Sequence, residues 1–318
     1  MTRAFIFPGQ GSQAVGMGKI LAEAFAAARA VFEEVDDALS QNLSRVMWEG
    51  PEADLVLTEN AQPAIMAASL AIIRVLQREG GLDLSQQARL VAGHSLGEYS
   101  ALCAAGAFTL ADTAHLLKTR GLAMQGAVPV GEGAMSALIG ADIALAEEIA
   151  KEAVALAIES NPTCVVANDN APGQVVISGL KATVDRAGEI AKTKGVKRVL
   201  PLAVSAPFHC PMMQPAADKM AEALAKVVIR PPAAPVVANV TAVETNEPET
   251  IRRLLVEQVT GRVRWRESVL GFRALGVDAT VEIGGNKVLT GMVKRIDKEL
   301  ATVSLDSPAD IEAFAKGL

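Results

Sequence analysis

Cysteine, histidine and aromatic side chains are all scarce in this chain of 318 residues. Its three cysteines, Cys103, Cys164 and Cys210, stand far apart without a CxxC. That excludes a disulfide framework and reads as thiols in a reducing compartment. Three histidines, with no HExxH and no paired His/Cys spacing, offer no ligand set, so no metal is expected. With aromatics at 3%, the core has to be built from Ala, Val, Leu and Ile. Basic residues fall short of acidic ones, 30 against 36, and the net charge of −6 argues against nucleic acid as a partner. Mean hydropathy is positive, +0.28, yet no long apolar helix is evident. The charge-free stretch from Val199 to Ala217 contains Pro201, Pro207, Pro211 and Pro215, which no membrane-spanning helix tolerates. The start of the chain runs from Arg3 through four apolar residues into Pro8-Gly9, leaving no room for a signal-peptide apolar region. A cytoplasmic enzyme without metal, membrane or nucleic acid is the expectation.

What the chain does have is a strand–helix rhythm. Residues 4–7 read as a buried strand, followed by the loop Pro8–Gln13. One long helical region is expected from about Phe25 to Trp48 and a second from Gln62 to Glu79, with Pro63 at its start. Ala88–Ala92 reads as a strand, and two helices follow up to about Ala127. Such alternation implies an α/β fold with a mostly parallel sheet. The rhythm then changes. Strands at Ala134–Ile139, Thr163–Ala167, Gln174–Ser178 and Lys197–Leu202 alternate with helices at Ile143–Leu156 and Lys181–Ala191. The order β-α-β-β-α-β is that of a ferredoxin-like unit. A small subdomain is therefore expected at 128–200, inserted into a larger domain formed by 1–127 and 201–318. Val236–Val240 and Ala279–Ile283 are expected to resume the larger sheet.

Gly93-His94-Ser95-Leu96-Gly97 fits the G-x-S-x-G nucleophile elbow, with a strand before it and a helix after it. A serine on such a turn has an exposed hydroxyl, and the helix N-terminus supplies N–H groups for an oxyanion. A base is needed, and only three histidines exist. His94 sits inside the elbow and reads as a turn residue pointing elsewhere. His115 lies in the helix expected over Asp112–Arg120 and reads as a surface or half-buried structural histidine. His209 lies between Pro207 and Pro211, whose fixed backbone holds a loop residue in place, so elimination leaves His209 as the base. No acid stands in an obvious triad position. A backbone carbonyl can hold the imidazole tautomer, so a Ser–His dyad is chemically adequate. The run Gly9–Ala14 matches the dinucleotide fingerprint G-x-G-x-x-A, with acids at Glu33, Glu34 and Asp36. That reading requires a second strand where the chain instead looks helical. Donating a backbone N–H to an oxyanion is a better use of this loop.

Several motifs stand together in order: Phe7–Gln13, Gln62-Pro63-Ala64-Ile65, Gly93–Tyr99, Arg120-Gly121 with Met124-Gln125, and Pro172–Gly179. Glu257-Gln258-Val259 with Val263-Arg264-Trp265, and Val288–Met292, continue the series. Across nearly its whole length the chain resembles the malonyl-CoA:acyl carrier protein transacylases of bacterial fatty acid synthesis. The resemblance implies a hydrolase-like parallel-sheet domain with an inserted ferredoxin-like subdomain. It implies Ser95 as nucleophile, His209 as base, and an oxyanion hole from the N–H groups of Gln10 and Leu96. It places the substrate carboxylate on Arg120, whose planar guanidinium can bind a carboxylate through two hydrogen bonds. Read by itself, Arg120 is a cation near a helix C-terminus. The carbonyl that orients the histidine falls on Gln258. Malonyl-CoA and holo acyl carrier protein are the implied partners, with no cofactor of the enzyme's own and a monomer expected. A thioester hydrolase and a trans-acting acyltransferase of polyketide synthesis are the alternatives. Lys192, Lys194, Lys197 and Arg198, with Arg262, Arg264 and Arg266, are candidates for a basic carrier-docking patch. Three positions depart from the common pattern: Phe208 before the histidine, Gly285 in place of a proline, and Arg262 in place of another. Phe208 and Leu96 fit a preference for malonyl over methylmalonyl groups.

Overall fold

The computed structural model describes residues 1–204 and 206–318. Ten strands form two sheets. The larger contains β1 (Arg3–Phe7), β2 (Ala88–Gly93), β7 (Val236–Val237), β8 (Glu244–Thr245), β9 (Ala279–Ile283) and β10 (Ala301–Leu305). Its order is β10-β9-β1-β2-β7-β8. All neighbours are parallel except β7 and β8. Ala4 to Phe7 are completely buried, as a strand covered on both faces requires. β1 and β2 run in register to their C-terminal ends, Phe7 opposite Gly93. The loops leaving both strands therefore start side by side, at the edge where parallel sheets present their sites.

The smaller sheet holds β3 (Gly133–Ile139), β4 (Cys164–Ala171), β5 (Gln174–Leu180) and β6 (Arg198–Pro201) in the order β4-β5-β3-β6. Every neighbouring pair is antiparallel. The helices Ile143–Ala155 and Lys181–Thr193 pack against it around a separate core that includes Leu138, Ile149, Ile177 and Val184. Val263 ties the two sheets together. Its N–H donates to the Ala167 carbonyl at 2.8 Å, and its carbonyl accepts from the Asp169 N–H at 3.0 Å.

Three local expectations require correction. The helix expected over Phe25–Trp48 is two helices, Ala26–Leu39 and Leu43–Glu49. Ser40 closes the first in a left-handed conformation, and the Asn42 side chain caps the second by accepting from the Arg45 N–H at 3.2 Å. The helix expected over Gln62–Glu79, with Pro63 at its start, instead spans Thr58–Arg78, with the proline inside it. A proline ring there forgoes only one backbone bond, and flanking burial supports the extra turn. Finally, β7 is only two residues long, because Ala238 to Val240 turn away to deliver Asn239 to the site.

Candidate active site

The elbow is strained as its chemistry requires. Ser95 has φ 53°, a left-handed backbone rare outside glycine. A Cβ on Gly93 would lie 1.9 Å from the Gly97 carbonyl carbon, and one on Gly97 would lie 2.3 Å from the Phe7 oxygen. Only glycine permits this crossing of strand, turn and neighbouring loop. Ser95 Oγ then projects into a cleft of about 420 Å³. The loops after β1 and β2 supply Gln10 and Leu96 to its wall, the segment after β6 supplies His209, and the small sheet supplies Met135, Asn168, Asn170 and Val176.

Two groups meet Ser95 Oγ. Its hydroxyl donates to His209 Nε2 at 2.8 Å and accepts from Arg120 Nη2 at 3.0 Å. His209 also has a left-handed backbone, φ 58°. Its Nδ1–H donates to the Gln258 carbonyl at 2.9 Å and the Gly261 carbonyl at 3.1 Å. Two carbonyls thus fix the tautomer that leaves Nε2 free to accept. Burial first, and then the Arg120 charge, hold the His209 pKa down to about 3. The imidazole is accordingly neutral at ordinary pH.

Arg120 stands in the middle of the helix Leu110–Gly126 and not at its C-terminus, so the dipole reading of this residue falls. It is 1% exposed. Nη1 donates to Gln62 Oε1 at 2.8 Å and Nη2 to Gln258 Oε1 at 2.9 Å, and the guanidinium lies 5.7 Å from the Tyr99 ring centroid. Its Nε has no hydrogen-bond partner among the described residues. No carboxylate oxygen lies within 4 Å of its nitrogens among these residues. A buried guanidinium held only by neutral acceptors is a ready receptor for an anion.

The N–H groups of Gln10 and Leu96 donate to no described residue. Both residues line the cleft beside Ser95. Phe208 is buried in the same wall. His94, expected to be a simple turn residue pointing elsewhere, also lines the cleft, and its Nε2 lies 2.8 Å from Asn170 Oδ1 of β4. It joins the elbow to the small sheet. His115 is exposed, away from the cleft.

Motif reading missed three residues beneath the elbow. The Asn239 side chain accepts from the Ser95 N–H at 2.7 Å and donates to the Gly93 carbonyl at 2.7 Å. Glu98 Oε2 accepts from the Asn239 N–H at 3.0 Å and from Gln258 Nε2 at 2.8 Å. Gln62 anchors the guanidinium from the other side. Gln62 and Glu98 had one signal in the sequence, a polar residue within an otherwise apolar helical run, and Asn239, in the turn after β7, had none. The Gln258 side chain acts here too, donating to the Ser95 carbonyl at 2.9 Å.

The other departures have local accounts. Gly285 has φ 83°, within four successive left-handed residues from Gly284 to Lys287. A proline cannot adopt that angle. Arg262 reaches across to Glu147 of the small unit at 2.5 Å. The supposed basic patch is largely neutralised. Lys192 pairs with Glu189, Lys194 with Glu148 and Glu152, Arg264 with Glu267 and Arg266 with Asp169. All three cysteines are free and buried. Among the described residues no group of three or more His, Cys, Asp or Glu is placed to hold a metal ion. Nor is any helix long and apolar enough to cross a membrane.

A parallel sheet, a serine on a strand–helix elbow and a histidine at its hydroxyl define the class of α/β nucleophile-elbow proteins. Comparison narrows this further. Residues 4–307 match the family described as "Acyl transferase domain". The malonyl CoA-acyl carrier protein transacylase of Bacillus subtilis (strain 168) is 43% identical over 309 residues, 97% of this chain and 95% of that protein. The crystal structure of an acyl-carrier-protein S-malonyltransferase from Bartonella henselae is 53% identical with a TM-score of 0.96, covering 100% of this chain and 99% of that one. A malonyl-transacylase in complex with a type II PKS acyl-carrier protein is 43% identical with a TM-score of 0.94, covering 100% of both chains. The chain belongs to the malonyl CoA-acyl carrier protein transacylases of the acyl transferase family.

Proposed function

We propose that this enzyme transfers the malonyl group of malonyl-CoA to the phosphopantetheine thiol of holo acyl carrier protein, through a malonyl ester on Ser95. The observation that carries the reading is the position of Ser95 Oγ between His209 Nε2 at 2.8 Å and Arg120 Nη2 at 3.0 Å. One partner can take the proton, and the other can hold the carboxylate of the acyl group being transferred.

In the first half-reaction, His209 Nε2 accepts the Ser95 proton as Oγ attacks the thioester carbonyl. The resulting oxyanion is met by the N–H groups of Gln10 and Leu96, each such donor contributing about 3 kcal/mol. The C–S bond breaks, His209 returns the proton to the leaving thiolate, and coenzyme A departs. The carrier thiol then gives its proton to His209 and attacks the malonyl ester, restoring Ser95. The carbonyls of Gln258 and Gly261 keep the imidazole in the required tautomer through both steps, so no acidic triad member is needed. Arg120 orients the malonyl carboxylate away from solvent, and the buried walls of the cleft keep water from the ester.

Residues 128–200 act as an inserted subdomain that closes one side of the cleft, with 1–127 and 201–318 as the main domain. The enzyme works as a cytoplasmic monomer and needs no cofactor beyond its substrates. Supply of fatty acid elongation is the first reading. Likeness to a transacylase seen with a type II PKS carrier favours polyketide supply as the second. Mass spectrometry after mixing with malonyl-CoA tests the core of the proposal. A malonyl adduct on the peptide containing Ser95, discharged by holo carrier protein, is expected. An adduct that persists in Ser95→Ala would refute it, and rapid release of free malonate without carrier would make the protein a hydrolase.

A further inference from the structure

Beneath the cleft lies a carboxyl group that the transfer chemistry does not use. Glu98 is 2% exposed, on the first turn of the elbow helix Gly97–Ala104. Its donors among the described residues, Gln258 Nε2 and the Asn239 N–H, both meet Oε2. The Gln258 amide therefore stands between two opposite charges. Its nitrogen faces Glu98 at 2.8 Å, and its oxygen faces Arg120 Nη2 at 2.9 Å. With Glu98 ionised and Arg120 charged, the two charges balance through one neutral amide.

A malonyl carboxylate changes that balance. Once it reaches Arg120, the same buried space would hold two negative charges and one positive, and an uncompensated buried charge is costly. We propose that Glu98 is the counter-ion that gives way: it balances Arg120 and takes up a proton from solvent when the acyl carboxylate binds. The reaction is Glu98–COO⁻ plus H⁺ to Glu98–COOH, with Oε1 receiving the proton and Oε2 keeping both donors. This makes Glu98 a specificity-determining residue, because it discriminates by charge between malonyl and uncharged acyl groups without touching either.

The groups facing Glu98 allow the exchange. Arg120 is the cation acting on it. The helix Pro248–Thr260 presents neutral Gln258, and the loop after β7 presents neutral Asn239. The helix Thr58–Arg78 presents Gln62 toward the shared guanidinium. β1 and β2 carry one arginine each, Arg3 and Arg89, toward the ends opposite the elbow, where Arg3 donates to the Gly317 carbonyl and Arg89 pairs with Glu244. Tyr99 on its own helix has its phenol pushed up by burial, so it stays neutral. His209 is likewise neutral, held down by burial and by Arg120. Burial raises the Glu98 carboxyl to about 7 even before a second anion arrives, so a small added repulsion suffices for protonation near neutrality.

The inference rests on the assignment of the malonyl carboxylate to Arg120, and the test separates the two. Malonyl-CoA and acetyl-CoA are titrated calorimetrically into Ser95→Ala enzyme at pH 8, in buffers of different ionisation enthalpy. Acetyl-CoA carries the same nucleotide, so ionisations of coenzyme A cancel. Uptake of about one extra proton per malonyl-CoA is expected, with malonyl affinity falling toward about tenfold per pH unit above 7. Both effects should vanish in Ser95→Ala/Glu98→Gln, whose amide oxygen can still accept from Gln258 and Asn239. Malonyl preference without proton uptake, or uptake that survives Glu98→Gln, overturns the role of Glu98 alone. Equal binding of the two thioesters overturns the Arg120 assignment and this inference with it.

Discussion

Arg120 donates a hydrogen bond across 3.0 Å to Ser95 Oγ, the atom that also contacts His209. The guanidinium thus occupies one lone pair of the proposed nucleophile. A bound malonyl carboxylate would draw Nη2 away, because a charged acceptor competes well with a neutral hydroxyl. The carboxylate would then be both recognised and used to release the oxygen that attacks. An acetyl group has nothing with which to compete for that donor.

Replacing the guanidinium separates these effects. Arg120→Ala removes the receptor for the carboxylate and the competing donor at Oγ together. Charged hydrogen bonds contribute about 1.5–3 kcal/mol, so kcat/KM for malonyl-CoA should fall about 10- to 100-fold. Acetyl-CoA should lose far less and gain relative to malonyl-CoA. Steady-state kinetics with both thioesters decide the matter, and unchanged malonyl kinetics would remove Arg120 from substrate binding.

The state of His209 predicts an unusual pH profile. A protonated imidazole cannot accept the serine proton, so activity is lost only as pH falls through the folded-state pKa. Burial and Arg120 hold that value down at about 3, below the usual 6.5. Formation of acetyl-Ser95 from acetyl-CoA, which avoids any carboxylate linkage, should therefore show no acid limb near pH 6.5. Stopped-flow loading between pH 5 and 8 should be flat in this respect. A clear limb at 6–7 would mean that the imidazole is better solvated than its surroundings indicate.

How far the sequence could be read follows from the range of each interaction. Ser95 was legible because an elbow is local: two glycines, a strand and a helix all lie between Ala88 and Ala104. His209 was legible by scarcity, being one of three histidines. The strands β1 and β2 carry continuous apolar runs, Ala4–Phe7 and Leu90–Ala92, and stood out accordingly. By contrast, β7 has only two residues, and Pro63 lies inside a helix whose first turn is held by tertiary burial. The support beneath the elbow was illegible for a different reason. Glu98 and Gln258 are 160 positions apart, and Ser95 and Asn239 are 144 apart. No local pattern encodes a hydrogen bond of that span. The Gln258 carbonyl came from family resemblance, but its amide, which bridges Arg120 and Glu98, did not.

Glu98 also bears on stability. Its carboxyl titrates at about 7 in the folded chain, against an ordinary 4.5. A raised carboxylate pKa means the folded state binds the proton more tightly than the unfolded one. Stability is therefore lost as pH rises from about 4.5 to 7, and the loss is complete above 7. At about 1.4 kcal/mol per unit, the full effect is on the order of 3 kcal/mol. Glu98→Gln cannot ionise, so its stability relative to the parent should rise across this window and level off above it. Urea unfolding of both proteins at pH 5, 6, 7 and 8 measures the difference directly. A gap that does not change with pH would show the carboxyl to be unperturbed.

The loop after β9 offers a test of how the oxyanion strand is held. Gly284, Gly285, Asn286 and Lys287 all have positive φ, and a Cβ on Gly285 would lie 2.5 Å from the Pro8 side chain. Asn286 Nδ2 donates to the Ser12 carbonyl at 3.2 Å, so this loop braces the segment that carries Gln10. Gly285→Pro would demand φ near −65° where the chain needs 83°. The loop must then rearrange, at a cost of at least 1–3 kcal/mol, and Pro8–Ser12 must move with it. Thermal stability should drop by several degrees, and acyl loading from malonyl-CoA and acetyl-CoA should slow by the same factor, because the oxyanion donor serves both. Gly285→Ala, which keeps the backbone N–H but adds the clash and the strain, should fall between parent and proline variant. An undisturbed Gly285→Pro enzyme would mean that the left-handed turn is not what holds Gln10 against the cleft.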